Sequence, residues 1–320
     1  MEHRLQERLT KHENNINEKI ETIEARMHAM EESFIKSVKS MEASNENTRT
    51  KLEALKNHVI PKMEHIQETS DSELKKIGEY KNTLDMLIDT VQNISMQAKF
   101  NTRLFKFLYP VSSCRQALSV SDTYMIKIEV NTEPFEVFCE QNKFDGGWIV
   151  IQHRYDGSVD FYTNWTEYRN GFGSLDGEFW LGLEYVHQIT KNRAHELLVE
   201  MKDFHGNYGY AKYGEFEIGN ESELYVLKKL GTYSGTAGDS MKNHKDQKFT
   251  TFDRDNDEAD KGNCAKAYHG AWWYYNCYRS NLNARYMNAT NDLTTMSWKY
   301  FKNDRRGLSY TRMMIRDIVD

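Results

Sequence analysis

The sequence predicts a long α-helical coiled coil followed by an α+β globular unit built on antiparallel sheet. Three observations carry that reading. All six tryptophans and seventeen of the eighteen glycines lie beyond residue 140, whereas residues 1–100 hold one glycine, Gly78, and one proline, Pro61. Apolar residues in the first hundred recur at steps of three and four, the period of a helix that buries one stripe. Beyond about residue 110 the pattern turns to short apolar runs punctuated by glycine, with no regular strand–helix alternation.

The helical part is expected over residues 1–105. Ile20, Met27, Phe34 and Met41 take heptad position a, and Leu9, Ile16, Ile23 and Met30 take d. A polar interval, EASNENTRTK, follows. The seam resumes with Met63, Ile77, Leu84 and Val91 at a and Ile66, Tyr80, Leu87 and Ile94 at d, offset by one residue from the first. A break near residues 44–61, with Pro61 in it, reconciles the two registers. Apolar strips this long call for a partner, so a homo-oligomer through the coiled coil is expected. Its mixed Ile, Met and Phe core does not set the number of chains.

The globular part is expected over residues 106–320. Strands are predicted at YMIKIEV, FEVFCE, GGWIVIQHR, SVDFY, EFWLGL and HELLVEMKDF, and short helices at WTEYRNGF and GLEYVHQIT. The string GTYSGTAGDS lacks the lysine of a phosphate loop and reads as a tight turn.

Charge excludes some partners. The net charge of −6 is split evenly: residues 1–100 carry 15 Lys/Arg and 18 Asp/Glu, and the rest carry 27 and 30. Neither part is basic enough for nucleic acid, and no polybasic cluster addresses anionic lipid. No stretch approaches the ~18 apolar residues of a membrane span. None of the sequence signatures of catalysis occurs, neither G-x-S-x-G, H-E-x-x-H nor a phosphate loop, so no enzymatic activity is expected.

The four cysteines, Cys114, Cys139, Cys264 and Cys277, allow three pairings, of which spacing favours the two local ones. None has the close CxxC spacing of a zinc site. Together with sequons at Asn93, Asn164, Asn220 and Asn288, they point to a secreted glycoprotein over a reduced intracellular one. The N-terminus, MEHRLQERLT, has no apolar core of a secretory signal, so a signal peptide is expected to be absent from this chain, whether removed or missing.

Two neighbouring stretches carry the candidate chemistry. In DRDNDEADKGN, Asp253, Asp255 and Asp257 alternate, the way a loop presents carboxylates to one hard cation, and calcium suits an all-oxygen donor set. It is not an EF-hand, because the sixth position is Glu258 rather than glycine. In CAKAYHGAWWYYNCY, four consecutive aromatics, Trp272 to Tyr275, must point to both faces of an extended segment. About half are therefore expected in the core and half on a surface or groove.

At this point a resemblance enters. The stretch GGWIVIQHRYDGSVDFYTNWTEYRNGFGSLDGEFWLGLEYVHQIT resembles the core signature of the fibrinogen C-terminal domain. So do YSGTAGDSM, DRDNDEADKGNCA, GAWWYYNCYRSNLNARY and the closing MMIR, in the family's order across residues 112–317. The subgroup it is most similar to is the fibrinogen-related lectins: ficolins, tachylectins and invertebrate fibrinogen-related immune proteins. A coiled coil before the domain also fits angiopoietin-like proteins.

The resemblance implies disulfides Cys114–Cys139 and Cys264–Cys277. It implies a Ca2+ site made by the side chains of Asp255 and Asp257 with the backbone oxygens of Ala259 and Lys261. It implies an adjoining ligand pocket at Tyr268, Asn276, Cys277 and Tyr278, with a cis peptide between Asn276 and Cys277. Ala267, Tyr268 and Tyr278 stand where the clotting chains carry the Gln-Asp pair and histidine of their fibrin-knob pocket, which disfavours clotting. Ala284 replaces a glycine of the usual SNLNG turn. The implied function is a secreted, calcium-dependent recognition lectin for acetylated glycans on microbial surfaces in innate immunity. The alternative is an angiopoietin-like receptor ligand or matrix protein recognising a protein surface.

Overall fold

The computed structural model describes residues 2–66, 71–129, 132–260 and 262–318, with side chains described outside 61–79. The chain divides into two compact units, residues 1–108 and 109–320.

The first unit is a helical hairpin of α1 (Glu2–Ile66) and α2 (Asp71–Leu108). Phe34 of α1 stacks on Phe105 of α2 at 4.8 Å. Half-buried Val38, Met41, Leu52, Leu55 and Val59 line one strip of α1, and Leu84, Leu87, Val91 and Ile94 line the facing strip of α2. The break expected near residues 44–61 is not there, since α1 runs on through Pro61. Apart from Met63 and Ile66, the second register lies on α2, a separate helix of the hairpin, so no break within α1 is needed to reconcile it with the first. The strip steps 30–34–38, two fours in succession, which rotates the seam without interrupting hydrogen bonding. The polar positions Asn45 and Thr48 remain in the seam, half-buried. From Phe34 onward, then, the partner that the apolar strip requires is the chain's own second helix.

The second unit is organised on one antiparallel sheet. Its strands begin with β1 (Asp122–Ile126), β2 (Phe135–Glu140) and β3 (Trp148–Arg154). After α3 (Trp165–Asn170) come β4 (Phe172–Gly173), β5 (Phe179–Trp180) and α4 (Leu183–Thr190). Strands β6 (His195–Asp203), β7 (Tyr208–Tyr213), β8 (Phe216–Ile218), β9 (Leu227–Leu230) and β10 (Tyr233–Gly235) follow. The remaining elements are α5 (Cys264–Ala267), β11 (Ser280–Asn281), β12 (Ser297–Trp298), α6 (Lys299–Lys302) and β13 (Leu308–Asp317).

The main sheet runs β1-β2-β3-β13-β6-β7-β10, with β5 on β3 and β4 on β5. The last strand is therefore central: Met314 pairs with Val150 on one side and Leu198 on the other. The run SVDFY is not a strand. Phe161 is buried there because its carbonyl accepts the Tyr168 hydroxyl at 2.6 Å and its ring packs under the Arg154 guanidinium, so a buried residue imitates alternation. GTYSGTAGDS contributes the short strand β10 before it turns. Both disulfides, Cys114–Cys139 and Cys264–Cys277, are formed.

Buried charges bind the sheet to its loops. Arg312 on β13 joins Glu140 of β2 at 2.6 Å and Glu200 of β6. Arg154, at the end of β3, faces Glu178 at 3.4 Å and donates to the Ala284 carbonyl at 3.0 Å. Ala284 itself is not among the residues with positive φ, so replacing the glycine there costs no backbone strain.

Candidate functional site

The cystine segment and the acidic loop form one hydrogen-bonded assembly. Asn263 caps α5 by accepting the Lys266 N–H at 2.9 Å, which starts the helix at the first cysteine. The chain then turns at His269, with φ of 47°, and passes Gly270, where a Cβ would lie 2.6 Å from the Asn283 backbone. Only glycine permits that approach. Trp272 next pairs with Thr250 as an isolated antiparallel bridge.

Contrary to the expectation of two faces, Trp272, Trp273 and Tyr274 are all fully buried, and only Tyr275 projects, 50% exposed. The reason is that the segment is covered on both sides. Trp273 donates its indole N–H to the Tyr225 carbonyl at 2.8 Å. The Tyr274 hydroxyl donates to the Gly270 carbonyl at 2.6 Å and accepts from Asn281 at 2.7 Å.

His244 holds the far end of this segment. Its Nδ1 lies 2.6 Å from the Trp273 carbonyl, and its Nε2 accepts the N–H groups of Arg279 and Ser280, both at 3.2 Å. That set requires the neutral ring with Nδ1 protonated. Full burial agrees, holding its pKa down to about 4.

In the acidic loop the aspartates have separate duties. Asp253 accepts the Trp165 N–H at 3.0 Å and the Thr251 hydroxyl at 2.7 Å, tying the loop to α3. Asp257 accepts from the N–H groups of Ala259 at 3.0 Å and Cys264 at 2.9 Å. Its pKa is raised, first by burial and then by the adjacent Asp255 carboxylate, which the hydrogen bonds to Cys264 and Ala259 only partly offset. Two carboxylates side by side, one of them desolvated, make an anionic, all-oxygen locus whose repulsion a hard cation would relieve. Among the described residues no three His, Cys, Asp or Glu side chains converge on a metal position. A cation would therefore draw on these two aspartates with main-chain oxygen and water. Ala259 lies beside them, whereas Lys261 lies outside the described residues. The donor set fits calcium and not a softer metal. The Glu258 N–H donates to the Tyr275 carbonyl at 3.2 Å, so order in the acidic loop passes directly to the cystine segment.

The remaining candidates meet beside that segment. The Asn276–Cys277 peptide is cis, Asn276 is exposed and Cys277 half-buried. Tyr268 and Tyr278 pack edge to face with ring centroids 5.0 Å apart. Tyr278 is buried and fully engaged: its hydroxyl donates to the Leu293 carbonyl at 2.7 Å, and the Arg305 guanidinium covers its ring at 4.3 Å while donating to its backbone oxygen at 3.1 Å. Sequence reasoning missed Leu293, Arg305 and Asn281. No local signal marks them, because they reach Tyr278 and Tyr274 across gaps in the chain that only folding closes.

A family model for the C-terminal globular domain of fibrinogen beta and gamma chains matches residues 112–318. The chain belongs to the fibrinogen C-terminal domain family. Among relatives of this domain, Tenascin of Gallus gallus is 39% identical over 250 residues, which is 77% of this chain and 14% of that protein. Human Angiopoietin-related protein 1 is 47% identical over 169 residues, covering 52% of this chain and 34% of its own length. The solved fibrinogen-like globe domain of human ANGPTL6 superimposes with a TM-score of 0.62 at 40% identity, covering 66% of this chain and 97% of that domain. The chain spans less than half the length of these curated relatives. The fibrinogen-type fold, antiparallel sheet with short helices, is thus shared with tenascins and angiopoietin-related proteins.

Proposed function

We propose that this chain is a secreted, non-catalytic recognition protein whose fibrinogen-type head docks a protein surface, and that it is not a lectin for acetylated sugars. The observation that carries this reading is Tyr278. Its ring fills the space beside Tyr268, its hydroxyl is spent on the Leu293 carbonyl and its open face is covered by Arg305. An acetyl group placed against Tyr268 would have to displace this buried ring. The Tyr275 ring and the Asn276 side chain are exposed at the site, a rim suited to a flat partner. The tenascin and angiopoietin-related relatives agree with a protein-recognising role.

The test uses the full chain with calcium present. It is expected to pass unretained through acetylated-sugar beads. Its binding to a responsive cell surface should survive excess N-acetylglucosamine and vanish after protease treatment of that surface. Retention on the beads with elution by N-acetylglucosamine would reinstate the lectin.

Calcium belongs to this proposal as an ordering ion. Asp255 and Asp257 would hold it with backbone oxygens of the loop, and it would brace the cystine segment through the bond from Glu258 to Tyr275. Calcium at about 100 times its dissociation constant is expected to stabilise the head by about 2.7 kcal/mol. That is a rise of roughly 5–10 °C in melting temperature for a unit of this size. Asp255→Asn and Asp257→Asn should each abolish the rise. A calcium-independent melting curve in the unsubstituted protein would remove the ion from the account.

A further inference from the structure

Where α2 ends, α1 continues without a helical partner in its own hairpin. Phe34 stacks on Phe105. With both helices rising 1.5 Å per residue, the last residue of α2, Leu108, falls opposite position 31. Residues 2–30 extend beyond it, ~43 Å of helix at that rise. The apolar strip nevertheless continues there as Leu9, Ile16, Ile20, Ile23, Met27 and Met30, each between 46% and 58% exposed.

The charges flanking that strip specify what can cover it. With Ile20 and Met27 at a and Ile16, Ile23 and Met30 at d, the g positions are His12, Lys19 and Arg26, and the e positions are Asn17, Glu24 and Glu31. One flank is basic and the other acidic. In a parallel, in-register pair, each g residue meets the e residue five positions on in the other helix. Lys19 then faces Glu24 of the second copy and Arg26 faces Glu31 of the second copy, each twice by the two-fold axis. An antiparallel pair instead sets g against g and e against e, bringing like charges together along both flanks.

We propose that residues 16–31 of α1 pair in parallel and in register with the same segment of a second copy of this chain. Glu13, at the preceding a position, ends the uninterrupted strip. Two heptads of apolar contact support a concentration-dependent dimer, not an obligate one. The proposal narrows the oligomer expected from the heptad pattern to one segment and one orientation. Its consequence is that two fibrinogen-type heads are carried on one assembly, so weak contacts to a surface add through avidity.

Sedimentation of the full chain over a concentration series tests this. The unsubstituted chain should rise from one to two chain masses. Lys19→Glu with Arg26→Glu makes both flanks acidic, and Glu24→Lys with Glu31→Lys makes both basic. Each double variant should raise the dissociation constant at least about tenfold, a penalty that shrinks in 1 M salt. Mixed in equal amounts, the two variants should pair with one another, because an acidic flank then meets a basic one. Lys19, Glu24 and Arg26 are exposed and Glu31 is half-buried at the edge of the hairpin, and an unchanged helical circular dichroism signal checks that folding is retained. A single-chain mass at every concentration overturns the proposal, as does a double variant that keeps the unsubstituted affinity.

Discussion

Glu178→Ala is expected to lower the unfolding free energy of the fibrinogen-type head by about 3–5 kcal/mol, the usual cost of removing one partner from a buried ion pair. The Glu178 carboxylate is 1% exposed and Arg154 is 2% exposed. Its oxygens accept the N–H groups of Tyr155, Asp156 and Gly157 at 2.7, 2.9 and 2.8 Å, and that of Val159 at 3.3 Å. Burial alone would raise its pKa, but the backbone donors at Asp156 and Gly157 and the Arg154 charge more than offset that and hold it lowered. Truncation would leave a buried guanidinium and four N–H groups without their acceptor. Against a total of about 5–15 kcal/mol, that loss is a large fraction of the stability of the head. Urea denaturation measures it directly, through the midpoint at constant slope. Because Arg154 also holds the Ala284 carbonyl, the loss should reach the loop behind the cystine segment. Glu178→Gln keeps one acceptor oxygen and should cost less. A change below about 1 kcal/mol in the alanine variant, the scale of an exposed pair, would show that the pair is solvated and the argument wrong.

Acidification is expected to loosen the site through His244. The ring is fully buried, and its folded pKa is pushed from 6.5 down to about 4, chiefly by burial and against the favourable bond to the Trp273 carbonyl. Below pH 6.5 the unfolded chain takes up a proton that the folded chain refuses until about pH 4. Unfolding is therefore favoured as pH falls through that window, and the stability is fully present only above it. The shift corresponds to about 3 kcal/mol lost between pH 6.5 and pH 4. His153, His195 and His269 are also lowered by burial and add to the slope. The informative quantity is thus the difference between the unsubstituted chain and His244→Gln. The variant should be weaker at pH 7 and lose less on acidification, and equal pH slopes in the two proteins would contradict the assignment. Since His244 joins Trp273 to Arg279 and Ser280, the same acidification should release any partner bound at Tyr275 and Asn276.

Much of the architecture was legible before folding, for identifiable reasons. Helical periodicity is local, so Leu84, Leu87, Val91 and Ile94 could be placed on one strip without knowing what covered them. The strands around Phe135–Glu140 and His195–Asp203 announced themselves by apolar density. SVDFY misled for the converse reason, since Phe161 is buried by a tyrosine and an arginine distant in sequence and not by sheet pairing. The break near residues 44–61 failed similarly. The second register lies mostly on α2, a separate helix, and polar composition alone does not end α1.

At the site, the motif order located the acidic loop, the two disulfides and the cis peptide. It did not show that Asp253 is spent on α3, nor that Trp272, Trp273 and Tyr274 are sealed on both faces. Least visible was the environment of Tyr278, because Leu293 and Arg305 are 15 and 27 positions away along the chain.

The sequence by itself determined the two-part plan, the cysteine framework and the family, since periodicity, spacing and motif order are properties of the chain read in line. The tertiary structure decided which apolar strip covers itself, that Asp253 is tied to α3 while Asp257 sits beside Asp255, and that the Tyr278 ring is packed between Tyr268 and Arg305. Those outcomes depend on which distant groups arrive at one point in space. The ring of Tyr278 is closed off by a carbonyl and a guanidinium that no local pattern could have placed there.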